Sequence, residues 1–131
     1  MNDRRGRAAA LDAFDSIDRA RLKRLKEIDA RIDEALKSGD PSAYMEGNYA
    51  FHFEIYRARK RPTLHRLIET LWLQFGPFMR VVYGRFGTSH LIDRHEMAIK
   101  AIEASDREAL GRAIHLDIEE GMGLIGRDGL A

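Results

Sequence analysis

Asn48 and His52 stand four residues apart in the stretch Gly47-Asn48-Tyr49-Ala50-Phe51-His52-Phe53-Glu54-Ile55-Tyr56. On a helix this spacing stacks them on one face. Met45, Ile55 and Tyr56 share that face, so it points into a core. An amide and an imidazole are thereby aimed at an apolar interior, where a polar group without a partner costs ~1–3 kcal/mol. Two further segments offer partners. His95 lies on a stripe with Leu91, Ile92, Ala98, Ile99 and Ile102, and Asp117 on one with Leu110, Ala113, Ile114, Ile118, Gly121 and Ile125. His115 is turned by about 200° from Asp117 on a helix. It falls with Glu108, Gly111, Arg112 and Glu119 on the solvent side.

Two imidazoles, a carboxylate and an amide oxygen suit a divalent ion with open positions for water or an organic acid. Zinc and nickel are the expected ions, with manganese as a further candidate. The alternative is a satisfied polar cluster without metal, closed by an ion pair between Asp117 and a histidine. Spacing alone leaves both open. Tyr56, on the His52 face, and Arg80 are the candidate ligand contacts. Arg80 follows Gly76-Pro77 in a helix that walls the core. Turned inward, its guanidinium would grip a carboxylate bidentately; turned outward, it is a surface arginine. Trp72, Phe75 and Phe78 read as core, and His65 and His90 as surface. The chain shows neither a glycine-rich phosphate loop nor a legible Ser-His-Asp pattern.

The elements that must position these groups are helical. From about Phe14 to Lys37 the apolar residues fall at helical spacing, and the many charges between them, Asp29 among them, read as a solvated face. In Ser38-Gly39-Asp40-Pro41, Gly39 suits a left-handed helix end, Asp40 a cap and Pro41 a first turn. A second helix follows to about Arg59, and the basic run Arg57-Ala58-Arg59-Lys60-Arg61 complements its carboxyl-terminal dipole. Pro62 opens a third helix, with a kink expected at Gly76-Pro77 and a loop over 84–89. A fourth spans roughly Leu91 to Ala104. Ser105-Asp106-Arg107-Glu108 reads as a capping box for the last, from Asp106 to about Ile125. No segment alternates with period two. The expected fold is all-α, an antiparallel bundle of five to six helices. Residues 1–10 are expected to be frayed, 11–125 to form one helical domain, and 126–131 a tail.

Composition narrows the function. With 131 residues the chain suits one domain with a real core. A net charge of +1 argues against a nucleic-acid surface spread over it. Without cysteine, thiolate metal sites and disulfides are excluded, which agrees with a cytoplasmic location. No segment approaches the ~20 apolar residues of a membrane span.

Asn48-x-x-Phe51-His52-x-x-Ile55-Tyr56, Pro62-x-Leu64, Leu71-Trp72 and His95-x-x-x-Ile99-x-Ala101-Ile102-x-x-x-Asp106 together resemble the carboxyl-terminal sensor domain, the FCD domain, of GntR transcription regulators of the FadR subfamily. The resemblance covers about Ala8 to Ile125. It implies an all-helical bundle that binds a small organic or sugar acid, many members holding a divalent metal on one Asp and three His. It also implies a homodimer that reaches operator DNA only through a winged helix-turn-helix preceding the domain.

The sequence departs from that pattern at three points. Asn48 stands where the family usually has Asp. Asp117 stands twenty-two residues after His95, where the family usually has His, so the ligand role is carried to it and not to His115. Third, no winged helix precedes the domain and the family's first sensor helix looks cut short, so the chain is expected to be a fragment of a longer regulator. The reading is thus a metal-binding effector domain of a transcription regulator and not an enzyme. Its rivals are a metal-dependent hydrolase-like bundle, which would need a general base beside the ion, and a structural dimerisation module with a packed interior. Glu54 and Glu96, the nearest carboxylates in sequence, fall off the inward stripes.

Overall fold

Apolar periodicity and well-placed caps produce six α-helices among the described residues. They are α1 (Asn2–Ala13), α2 (Arg19–Ser38), α3 (Pro41–Tyr56), α4 (Pro62–Phe86), α5 (Arg94–Glu103) and α6 (Arg107–Arg127), with a single 3-10 turn at Phe14–Ser16. The computed structural model describes the backbone of residues 2–86 and 94–127, and side-chain surroundings for 5–74, 76 and 94–119. No strand occurs among the described residues. The all-α bundle expected from the sequence is the architecture found.

The Asp18 side chain caps α2 by accepting from the Arg21 amide at 2.8 Å. Gly39 closes α2 at φ +68°, and Asp40 caps α3 through the Ala43 amide with Pro41 in the first turn. On α2, Leu25, Ile28, Ile32 and Ala35 form the buried stripe. α3 is buried on several sides at once, through Tyr44, Phe51, His52, Phe53, Ile55 and Tyr56, and so forms the bundle's centre. Gly47 permits its close approach to α2, because a Cβ there would lie 2.6 Å from Ile32 Cγ1.

The amino-terminal reading is corrected. Residues 2–13 are helical, and α1 packs along α6 and against α3. Gly6, Ala9, Ala10 and Ala13 are its buried face. A Cβ on Gly6 would sit 2.6 Å from Ile118 Cδ1 and 2.8 Å from the Tyr56 hydroxyl, so the contact depends on small residues. Such a face has little hydropathic signal, and the arginines around it made the segment look solvated. The basic run after α3 fastens this helix: Arg61 donates to Asp12 at 3.1 Å and Arg59 stands 3.7 Å from it. Its role extends beyond a helix dipole.

Three boundaries also shift. Ser105 ends α5 at φ +55°, and it is Asp106 that caps α6, accepting from the Ala109 amide at 3.0 Å. The helix α4 continues through Gly76-Pro77 to Phe86, into the segment expected to be a loop. α6 continues to Arg127, two residues into the expected tail. His90, Leu91 and Ile92 lie outside the described residues.

Candidate metal centre

Asn48 and His52 project from successive turns of α3. His95 comes from the first turn of α5, and Asp117 from the middle of α6. The side chains meet. His52 Nε2 lies 2.5 Å from Asp117 Oδ2, and His95 Nε2 lies 3.0 Å from the same oxygen. Asn48 Oδ1 is 2.7 Å from His95 Nε2. One ligand atom from each of His52, His95 and Asp117 falls within 4.8 Å of the others. All four sequence-predicted ligands are therefore together. The surroundings are aromatic: Phe51 lies against His95 at a ring separation of 4.4 Å, and Trp72 against His52 at 5.0 Å.

Burial sets the charge states. Loss of hydration is the main influence on His52 and lowers its pKa, against the pull of Asp117, so the imidazole is held neutral. For Asp117 burial alone would raise the pKa. Interaction with His95 and hydrogen bonds from His52 and His95 outweigh it and hold the carboxyl well below the usual range. An ionised carboxylate and a neutral imidazole are the forms a cation requires.

Each imidazole has a second partner behind it. His52 Nδ1 is 3.0 Å from the Tyr56 hydroxyl, which is itself fully buried and whose pKa is raised by burial and by the charge of Asp117. Tyr56, expected as a ligand contact, thus stands on the side of His52 away from Asp117. His95 Nδ1 is 3.9 Å from Asp29 Oδ1. Asp29 is only 8% exposed. It was expected on the solvated face of α2, and that placement is corrected. A signal was present: Leu25, Ile28, Asp29 and Ile32 follow the i, i+3, i+4, i+7 pattern of an inward face.

The remaining candidates are elsewhere. His115 is about one-third exposed and pairs with Glu119 at 2.9 Å. Glu54 is engaged by Arg21 and Arg24, and Glu96 by Lys100 at 3.2 Å. Neither reaches the cluster as a general base would. The Trp72 indole is packed on His52 as a wall, and its buried Nε1–H has no hydrogen-bond partner among the described residues. The side chains of Arg80, Phe75 and Phe78 lie outside the described residues.

The donor set fits a divalent ion. Two nitrogens and two oxygens face one another, and each histidine turns Nε2 inward and Nδ1 toward a protein oxygen, the arrangement of metal-bound histidines.

The structure is thus an all-α helical-bundle domain with an inward polar cluster. The FCD domain family model matches residues 6–120, and the chain belongs to that family. FCD domains of GntR regulators are sensing and regulatory units, not enzymes. Over 90 residues the chain is 28% identical to the HTH-type transcriptional regulator McbR of Escherichia coli (strain K12), covering 66% of this chain and 41% of that protein. The solved structure of E. coli McbR/YncC shares the fold with a TM-score of 0.89 at 21% identity, over 97% of this chain and 61% of that one. The chain thus spans less than two thirds of the length of each relative it matches.

Proposed function

We propose that this chain is the effector-sensing and dimerising part of a GntR-type transcription regulator. In it Asn48, His52, His95 and Asp117 hold one divalent ion, zinc or nickel before manganese. The effector is a small organic or sugar acid. The observation that carries the reading is the crowding of acceptors around His95. Asn48 Oδ1 and Asp117 Oδ2 both face Nε2, while Asp29 faces Nδ1. A neutral imidazole has one proton to offer, and a cation at the centre relieves the excess of oxygens.

Bound there, the ion supplies a positive anchor for a carboxylate oxygen. Asp117 offsets one of its two charges, which leaves about +1 on the ligand side of a low-dielectric interior and favours an anion over neutral or cationic compounds. The chain's own residues do the rest. Tyr56 fixes the His52 ring and Trp72 walls it from water, and Arg80 on α4 is the proposed second contact to the acid. The regulator's DNA contact is made by a winged helix-turn-helix outside this chain, in the cytoplasm. Effector binding shifts the dimer only by its differential affinity for two arrangements. No described helix is long and apolar enough to cross a membrane.

The test is a thermal-shift screen of the zinc- or nickel-loaded protein. Carboxylic acids with a neighbouring hydroxyl are expected to raise the midpoint, by the linkage of binding to stability, and chelation is expected to abolish the shift. Stabilisation by neutral or cationic compounds alone would overturn the effector class. A purified protein that takes up neither ion would overturn the metal.

A further inference from the structure

We infer that Asp29 of α2 is a positioning residue for the centre, holding His95 as the tautomer whose Nε2 lone pair faces the ion. The inference rests on the reading of Asn48, His52, His95 and Asp117 as metal ligands, and adds to them a residue from a fourth helix.

Asp29 is buried on a helix whose other charged residues, from Lys23 to Lys37, are partly or fully exposed. Leu25, Ile28 and Ile32 around it are buried, so the core stripe fixes its direction. It meets the imidazole where α2 packs on α5, with Oδ1 3.9 Å from Nδ1. His95 occupies the second position of α5, where the helix is only beginning to hold its side chains in place. Phe51 lies against the ring at a separation of 4.4 Å and offers no acceptor for a ring proton. The Asp29 carboxylate thus stands on the Nδ1 side, where its charge favours a proton on that nitrogen.

The placement matters because a neutral imidazole carries one proton. Without an ion, Nε2 donates toward Asp117 and Asn48; an ion on Nε2 requires the proton to sit on Nδ1, where the negative charge of Asp29 in a poorly screened interior stabilises it. His52 is arranged in the same way, with the Tyr56 hydroxyl behind Nδ1 and Asp117 before Nε2. The two histidines therefore have outer partners of different kinds, one neutral and one ionic. The carboxylate, placed behind His95, also makes that ring the stronger donor of the two.

The test compares the full chain with Asp29→Asn, which keeps the shape and removes the charge. Zinc affinity is measured by competition with a chromophoric chelator, and the nitrogen shifts of His95 are recorded with and without zinc. The wild-type protein is expected to bind one ion with His95 protonated at Nδ1. D29N is expected to bind zinc about 10–100-fold more weakly, while its metal-free thermal midpoint does not fall in parallel. A purely structural Asp29 would give the reverse: a lowered metal-free midpoint and unchanged affinity. Equal zinc affinity in wild type and D29N overturns the inference while leaving the metal site standing. Failure of the wild type to bind zinc or nickel overturns the metal reading itself. Should D29N not fold, the wild-type nitrogen spectrum decides alone, and His95 bound through Nδ1 would refute the proposal.

Discussion

Asp117 and Asp12 are both carboxylates held by cationic or proton-donating partners, and in both the pKa is lowered. Their settings are opposite. Asp12 lies on the surface of α1, where the Arg61 hydrogen bond is the main cause and Arg59 and Arg107 add their charges. Arg107 at the same time donates to the Leu11 carbonyl at 3.2 Å. Asp117 lies between two imidazoles in the core, where burial opposes the charge and the neighbours must overcome it. On the surface, water and salt replace any one partner. In the core no such replacement exists, and loss of one member strands the others. The surface cluster ties down a helix, whereas the core cluster gathers two imidazoles and a carboxylate in the buried arrangement proposed above to take an ion.

The sharpest way to break this contrast is Asp117→Ala. It should abolish metal uptake and lower the stability of the metal-free protein by about 3–5 kcal/mol in chemical denaturation. A change no larger than that of Asp12→Ala would erase the distinction between the two sites.

The next largest effect concerns the helix that joins them. Gly6→Val would drive a side chain into Ile118 and the Tyr56 hydroxyl. We expect a loss of about 1–3 kcal/mol from overpacking, together with weakened metal binding because Tyr56 supports His52. If stability falls and metal affinity does not, α1 is a lid on the core and has no hold on the site.

Acidification should separate the sites further. The folded-state pKa of His52 is depressed, so the unfolded chain binds its proton first. The associated stability is complete above the unfolded value of about 6.5 and is lost as pH falls from there toward the folded value, at up to roughly 1.4 kcal/mol per pH unit. His52→Gln should flatten that slope in the metal-free protein, as followed by denaturant midpoints between pH 7 and 5. A slope that survives the substitution would assign it to other groups.

The smallest effects belong to the surface. His115→Ala should leave metal affinity unchanged and stability within about 0.5 kcal/mol. Asp12→Asn should give a slight loss of thermal midpoint that vanishes in high salt. Loss of metal on replacing His115, with retention on replacing Asp117, would reverse the ligand assignment.

Much of the core cluster was legible because helical spacing carries direction. Asn48 and His52 at four residues, and His95 and Asp117 on apolar stripes, each point inward by sequence alone. Asp29 and the α1 contact were harder to see for a common reason. Both follow the inward i, i+3, i+4, i+7 pattern, at 25-28-29-32 and at 6-9-10-13. In each, the residue type hides the direction: a charge among many charges, and a glycine with three alanines beside arginines. Their burial is decided by what lies opposite, a histidine on another helix and a tyrosine hydroxyl.

The sequence by itself determined the five helices after α1, the Gly39 and Asp40 caps, the all-α bundle and the inward aim of four polar side chains. These depend on local periodicity and on residues within one or two turns. Only the tertiary structure decided that the four side chains share one centre, that Tyr56 and Asp29 stand behind the two imidazoles, and that α1 belongs to the core. Those facts depend on how separate helices pack. A residue's own neighbours in the chain state which way it faces, and the partner helix alone states what it meets there.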